Sequence, residues 1–306
     1  MKKKARFQHF FRSFVVSLII IIILSILCIK QYQNEQKRLK NYYKTTHIYD
    51  TYGRFSNKIP GIMVLCYHRI APHNFLTKFA QSRSLDSQLH AFNVNSDVFE
   101  KQMKYFHDNH VNIISIDEMM KLLNSDQPIT KKYIVLTFDD ADHTILDNAI
   151  PVMEKYNFPY TLFIATGKTH QYVDGSYMLS WKNINDINRS DLCTIGIHTN
   201  NAHYQVNGKP RLLQMTMGEF KTDYHDALSA LKTHLNKMPQ NLYFASPYGA
   251  ITDSELNYLI QDTRVKAVFS LDNDINDHKK DNQEYGRLIV TPKNFKNIQN
   301  WLKPSE

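Results

Sequence analysis

The sequence has no internal repeat, no low-complexity tract and only three cysteines in 306 residues. Without repeats, a solenoid or propeller array is excluded, and without compositional bias nothing marks a long disordered region. Three cysteines cannot staple a small scaffold. Cys28 lies in an apolar N-terminal run, and Cys66 and Cys193 lie in two separate strand-like runs. Cys66 precedes His68 by two and so shares its side of a strand. Cys193 precedes His198 by five and points the other way. A Cys66–Cys193 bridge is therefore not expected, and both read as buried, inert thiols. A basic stripe is missing as well. The net charge of +8 comes from the N-terminus: residues 1–60 hold 12 Lys+Arg against 2 Asp+Glu, whereas the remainder holds 25 against 27. With a nearly neutral body and no nucleic-acid motif, nucleic-acid binding is not expected.

What the N-terminus does have is one long apolar run, Phe14 to Ile29, behind Lys2, Lys3, Lys4, Arg6 and Arg12. Sixteen residues is slightly short for a spanning helix and near the length of a signal-peptide core. No small-x-small cleavage site follows, and Leu27 before Cys28 is a poor residue for lipoprotein processing. The reading is an uncleaved signal anchor, with residues 1–13 cytoplasmic, 14–29 transmembrane, 30–60 an extracellular tether and 61–306 the exported domain. The flanking lysines and arginines suit anionic lipid headgroups.

Residues 61–302 suffice for one large domain with its own core. Strand-like runs at 62–67, 112–116, 133–138, 160–165, 192–197, 242–246, 266–270 and 287–291 alternate with helical patterns at 97–109, 117–124, 144–156, 181–189, 217–236, 253–262 and 294–302. The stretch 71–96 reads as irregular. Alternation of this kind means a parallel sheet, and seven or eight units favour a closed or nearly closed (β/α) barrel of about seven strands.

The polar residues with chemical potential follow these runs. His68 follows the first, Asp139 and Asp140 the third, His198 and His203 the fifth, and Pro247-Tyr248-Gly249 the sixth. In a parallel barrel the strand C-termini share one face, so these groups converge there. Taken singly each is ordinary: an Asp pair is commonly a cap or turn, and the chain has 14 histidines. Adjacent carboxylates on a strand point oppositely unless the chain is turning, which argues against a glycosidase pair and for two different jobs. Two His and one Asp leave room for water on a hydrolytic metal, and His68 is placed to protonate a leaving amine.

Thr137-Phe138-Asp139-Asp140, the five-residue spacing of His198-Thr199-Asn200-Asn201-Ala202-His203, Pro247-Tyr248-Gly249 and the early Tyr67-His68-Arg69 together resemble the NodB-homology polysaccharide deacetylases. Within that family they resemble the intercellular-adhesin branch, which removes acetyl groups from poly-β-1,6-N-acetylglucosamine in biofilm matrices. The resemblance covers roughly 61–300 and implies a circularly permuted NodB-type barrel. It implies Asp139 as general base, Asp140, His198 and His203 as metal ligands, His68 as general acid and the Tyr248 N–H as an oxyanion donor. Many members have Gly after the Asp pair, where this chain has Ala141, and Arg before Pro-Tyr, where it has Ser246. The arginine that orients the base is then Arg287. Trp181 reads equally as a wall stacking on sugar or as a core residue at a helix start. The implied cofactor is a divalent metal, zinc first, with cobalt, nickel or iron also accommodated. The implied partner is an N-acetylglucosamine polymer, acted on by a monomeric catalytic domain at the outer membrane surface. Deacetylation of peptidoglycan or another acetylated glycan, and a silent membrane-anchored glycan-binding protein, are the alternatives.

Overall fold

The computed structural model describes residues 12, 14–34, 55–84, 89–173 and 175–304. Phe14–Asn34 forms a helix of 21 residues, long and apolar enough to cross a membrane. At 1.5 Å per residue it spans about 32 Å, close to the thickness of a bilayer core. It runs five residues beyond the apolar stretch because Lys30-Gln31-Tyr32-Gln33-Asn34 carries no helix breaker. Of the segment expected as cytoplasmic, 1–13, all but Arg12, and most of the tether, 35–54, lie outside the described residues.

The central sheet contains β1 (Gly61–Tyr67), β2 (Asn112–Ile113), β3 (Lys132–Phe138), β4 (Tyr160–Ile164), β5 (Cys193–Ile197), β6 (Leu242–Ala245), β7 (Val265–Phe269), β8 (Glu284–Tyr285) and β9 (Leu288–Ile289). Its order is β8-β7-β6-β5-β4-β3-β1-β9, with β2 on β3, and the pairings are parallel. β3 carries β1 along one edge, while β2 and β4 share the other edge, one on its lower half and one on its upper half. The sheet is strongly curled. Its two end strands are successive pieces of one segment: Glu284-Tyr285 pairs with β7 and Leu288-Ile289 pairs with β1. With β2 set aside on the edge it shares with β4, seven segments surround the interior, in line with a barrel of about seven strands. Gly286 sits where the segment changes partner, and a Cβ there would lie 2.0 Å from the Asp272 carbonyl oxygen, so no side chain fits.

Alternation along the strands separates two cores. Met63, Leu65 and Tyr67 of β1, Ile134, Leu136 and Phe138 of β3, and Tyr160, Leu162 and Ile164 of β4 face outward to the helices. Ile62, Val64, Val135, Phe163, Tyr243, Ala245, Ala267 and Phe269 face inward. The helix Ile116–Leu123 joins that inner cluster through Ile116, Met119, Met120 and Leu123, closing the lower end. Asp117 on this helix accepts from Tyr243 Oη and Asn241 Nδ2, both at 2.7 Å, satisfying the polar tip of a buried ring.

Three local readings change. The helix expected over 144–156 is two pieces, Thr144–Asn148 and Ile150–Tyr156, because Pro151 has no N–H and the chain breaks at Ala149. The second strand stops at Ile113 because Ser115 caps the next helix, its side chain accepting from Glu118 N. Within 71–96 a helix, Phe75–Arg83, starts at Asn74 and buries none of its residues. It has no core-facing stripe from which periodicity could reveal it.

Candidate active site

The inward alternation continues past the strand ends. After Ile62, Val64 and Cys66 of β1 the next inward position is His68. After Val135 and Thr137 it is Asp139, and after Gly196 of β5 it is His198. Asp139 N still donates to the Tyr67 carbonyl at 2.9 Å, extending the ladder by one residue. The chain then turns through two left-handed residues, Asp140 with φ 70° and Ala141 with φ 60°. This turn removes the objection that adjacent aspartates diverge, since both carboxylates enter one site. Ala141 holds a conformation that glycine adopts at no steric cost, so the site retains backbone strain on the order of 1 kcal/mol.

One donor atom each from Asp140, His198 and His203 lies within 4.8 Å of the others. Asp140 Oδ1 is 3.7 Å from His198 Nε2 and 3.2 Å from His203 Nε2. His198 donates its Nδ1–H to the Ala245 carbonyl at 2.7 Å, which leaves the Nε2 lone pair facing inward. Burial pushes the His198 pKa down to about 4, so the ring is neutral. Burial alone would raise the Asp140 pKa, but His203, His198 and His68 hold it below the ordinary value. Two imidazoles and one carboxylate, with a ligand atom of each converging, fit a divalent cation of borderline hardness.

Asp139 is committed elsewhere. Arg287 donates to it twice, Nη1 to Oδ1 at 2.6 Å and Nη2 to Oδ2 at 2.8 Å. Arg287 itself is 0% exposed. Its Nε donates to the Ser270 carbonyl at 3.2 Å, and its guanidinium lies 5.2 Å from the Phe163 ring centroid. Burial would raise the Asp139 pKa, but the Arg287 charge outweighs it and keeps the carboxyl far below its usual range. Cys66 Sγ donates to Asp139 Oδ2 at 3.4 Å and lies 3.9 Å from His68 Nδ1. Cys66, His68 and Asp139 thus form a second cluster with metal-ligand chemistry. It suits a cation less well, because Arg287 occupies both Asp139 oxygens and burial pushes the Cys66 thiol well up. Burial also lowers the His68 pKa, opposed by Asp139 and Asp140.

The His198–His203 loop is held from outside by Asp223, which accepts from Asn200 N at 2.8 Å and Asn201 N at 2.7 Å. Lys168 donates to the His203 carbonyl, and Thr166 Oγ1 donates to Asn200 Oδ1 at 2.9 Å. Tyr248 has left-handed φ at 58°, and its ring lies 4.9 Å from that of His203. Thus the structure brings together every expected site residue: His68, Asp139, Asp140, His198, His203, Tyr248 and Arg287. Trp181 does not join them. It opens the helix Trp181–Ile187, stacks on His234 at 4.8 Å and packs on the outer core. Sequence reasoning missed Asp223 and the contacts of Cys66. Asp223 was visible as a carboxylate on the apolar stripe Phe220, Tyr224, Ala227, and Cys66 as an inward neighbour of His68.

Residues 126–268 match the family model described as "Polysaccharide deacetylase". Among characterised proteins, the chain is 25% identical over 286 residues to "Poly-beta-1,6-N-acetyl-D-glucosamine N-deacetylase" of Staphylococcus aureus, covering 92% of this chain and 96% of that one. The protein of the same name from Staphylococcus epidermidis is 25% identical over 244 residues, covering 78% and 82%. Among solved structures, "Structure of IcaB from Ammonifex degensii" superposes with a TM-score of 0.67 at 27% identity, covering 80% of this chain and 98% of that one.

Proposed function

We propose that this chain, which matches the polysaccharide deacetylase family model over residues 126–268, is a metal-dependent hydrolase that removes N-acetyl groups from poly-β-1,6-N-acetyl-D-glucosamine and releases acetate. The observation that carries the reading is the pairing of an Asp140-His198-His203 triad with a separate, arginine-held Asp139. In this reading the triad holds one divalent cation, zinc by preference. When bound, that cation supplies Lewis acidity, acidifying water and polarising the acetyl carbonyl. Asp139 accepts the proton of the attacking water. Arg287 fixes the plane of its carboxylate and keeps it ionised, so Asp139 is a weak base that depends on an acidified water. Water oxygen bonds to the acetyl carbon, and the Tyr248 N–H helps hold the developing oxyanion. As the C–N bond breaks, His68 gives a proton to the amine. The proton taken by Asp139 balances the one His68 supplies, and Cys66 links the two groups.

The helix Phe14–Asn34 is consistent with a signal sequence or an anchor. We read it as a single-pass anchor that holds the catalytic domain at the outer face, where the polymer lies and where the basic N-terminal flank meets anionic lipid. The deciding experiment is acetate release by the full chain in detergent micelles from a β-1,6-linked N-acetylglucosamine pentamer and from a chitin pentamer, with and without chelator. Chelator-sensitive release from the β-1,6 pentamer alone is expected. Release from the chitin pentamer alone would overturn the substrate. Stoichiometric metal binding with no acetate from either would overturn the enzyme.

A further inference from the structure

Outside the N-terminal helix, the exposed aromatic residues among those described are Phe75, Phe79, Tyr172, Tyr177 and Tyr204. All follow the C-terminal ends of strands: the first two follow β1, the next two β4 and the last β5. Scattered exposed aromatics are ordinary, but their confinement to the face that carries the candidate site is not. Two of them are paired. The hairpin Tyr172-Val173/Ser176-Tyr177 sets Tyr172 opposite Tyr177, with ring centroids 5.0 Å apart and planes at 70°. Although they pack on each other, the two residues stay 63% and 61% exposed.

The hairpin is bonded directly to the turn that bears the two aspartates. Leu179 N donates to the Ala141 carbonyl at 2.8 Å, and His143 N donates to the Tyr177 carbonyl at 2.8 Å. Asp142 bridges to Met178. The buried Arg69 ties in the third strand end, its Nε 2.9 Å from Asp142 Oδ2 and its Nη2 donating to the Val173 carbonyl at 3.4 Å. Three peptide links separate Asp140 from His143, so their Cα atoms lie within about 11 Å. The tyrosine pair therefore stands at a fixed distance from the reacting carboxylates, within reach of a short oligosaccharide.

Resting on the deacetylase reading, we propose that Tyr172 and Tyr177 form a platform for the acetylated amino-sugar chain beyond the residue being deacetylated. A pyranose presents apolar C–H faces ringed by hydroxyls, and tyrosine matches it with an apolar ring and a polar tip. The Arg69–Asp142 ion pair positions the platform and takes no part in the chemistry.

The test compares the full wild-type chain with Y172A/Y177A and Y172F/Y177F on the β-1,6 pentamer and on 4-nitrophenyl acetate, a probe too small to span both sites. Loss of the rings is expected to raise the pentamer KM about tenfold and lower the pentamer-to-aryl-acetate ratio of kcat/KM about tenfold, with the phenylalanine pair within about twofold of wild type. An unchanged ratio overturns the platform. So does an equal fall on both substrates, which would make the hairpin a brace for the aspartate turn. If the wild type binds the pentamer without releasing acetate, the deacetylase reading fails and the platform is judged from the pentamer Kd of the same variants.

Discussion

The two ends of the barrel use one alternation for opposite purposes. At the lower end the inward positions are Ile62, Val64, Val135 and Ala267, closed by the apolar side of the helix Ile116–Leu123. At the upper end the next inward positions are His68, Asp139 and His198, each buried and none apolar. Beside the site at the upper end lie Asp140, Ala141, Thr199 and Tyr248, four of the nine non-glycine residues with positive φ among the described residues. The lower end supplies burial energy, and the upper end uses part of it to hold charges out of water and backbone out of its preferred wells.

The sharpest test of this contrast is at the upper end. Asp140→Ala should lower acetate release by on the order of 10³-fold or more, the scale of losing a member of a unit that acts together. Thermal unfolding without metal should move little, because the carboxylate removed is partly exposed. If Asp140→Ala keeps the wild-type rate, the division between triad and base is wrong. Next in size is Arg287→Met, which leaves Asp139 buried and unpaired and should cost about 3–5 kcal/mol in denaturant unfolding. Arg287→Met with Asp139→Asn should recover most of that stability and stay inactive; failure to recover would show that Arg287 acts through its packing on Phe163. At the lower end, Met119→Ala should cost about 2–5 kcal/mol through a cavity in the plug, with KM and kcat unchanged at a temperature where the variant is folded. A changed KM would mean that the two ends communicate.

The smallest effect lies away from both ends. Arg264 holds the Asp262 pKa down to about 2, with Tyr224 Oη also donating to its carboxylate at 3.0 Å. A depressed carboxylate contributes stability above its unfolded value near 3.9 and loses it as pH falls through the folded value. Asp262→Asn should therefore cost less than about 1 kcal/mol at pH 6, and the difference should vanish as the pH approaches 2. A difference that persisted below pH 2 would assign the effect to the amide rather than the charge.

Most of the upper end was legible because its residues obey the rule that polar groups follow apolar runs. β1, β3 and β5 are uninterrupted runs, and the first inward residue beyond each is a site residue. What escaped did so for local physical reasons. Phe75–Arg83 buries nothing, so no period marks it. The 284–289 segment divides its pairing between two neighbours, so neither half is long enough to read as a strand, and only Leu288-Ile289 fell inside an expected one. Asp223 acts through backbone N–H groups of a distant loop, a contact that leaves no spacing in the sequence.

The split segment has a consequence for the order in which the protein comes into being. β1, near the start of the domain, has β9 as its neighbour, and the arginine beside β9 reaches across 148 positions to Asp139. A ribosome that has delivered everything up to residue 280 has made six of the seven staves, the Asp140-His198-His203 cluster and Asp139, yet has left the ring open and Asp139 without its counter-charge. The half-made chain thus has an unpaired β1 edge, and the segment 284–289 closes the ring and supplies the counter-charge together.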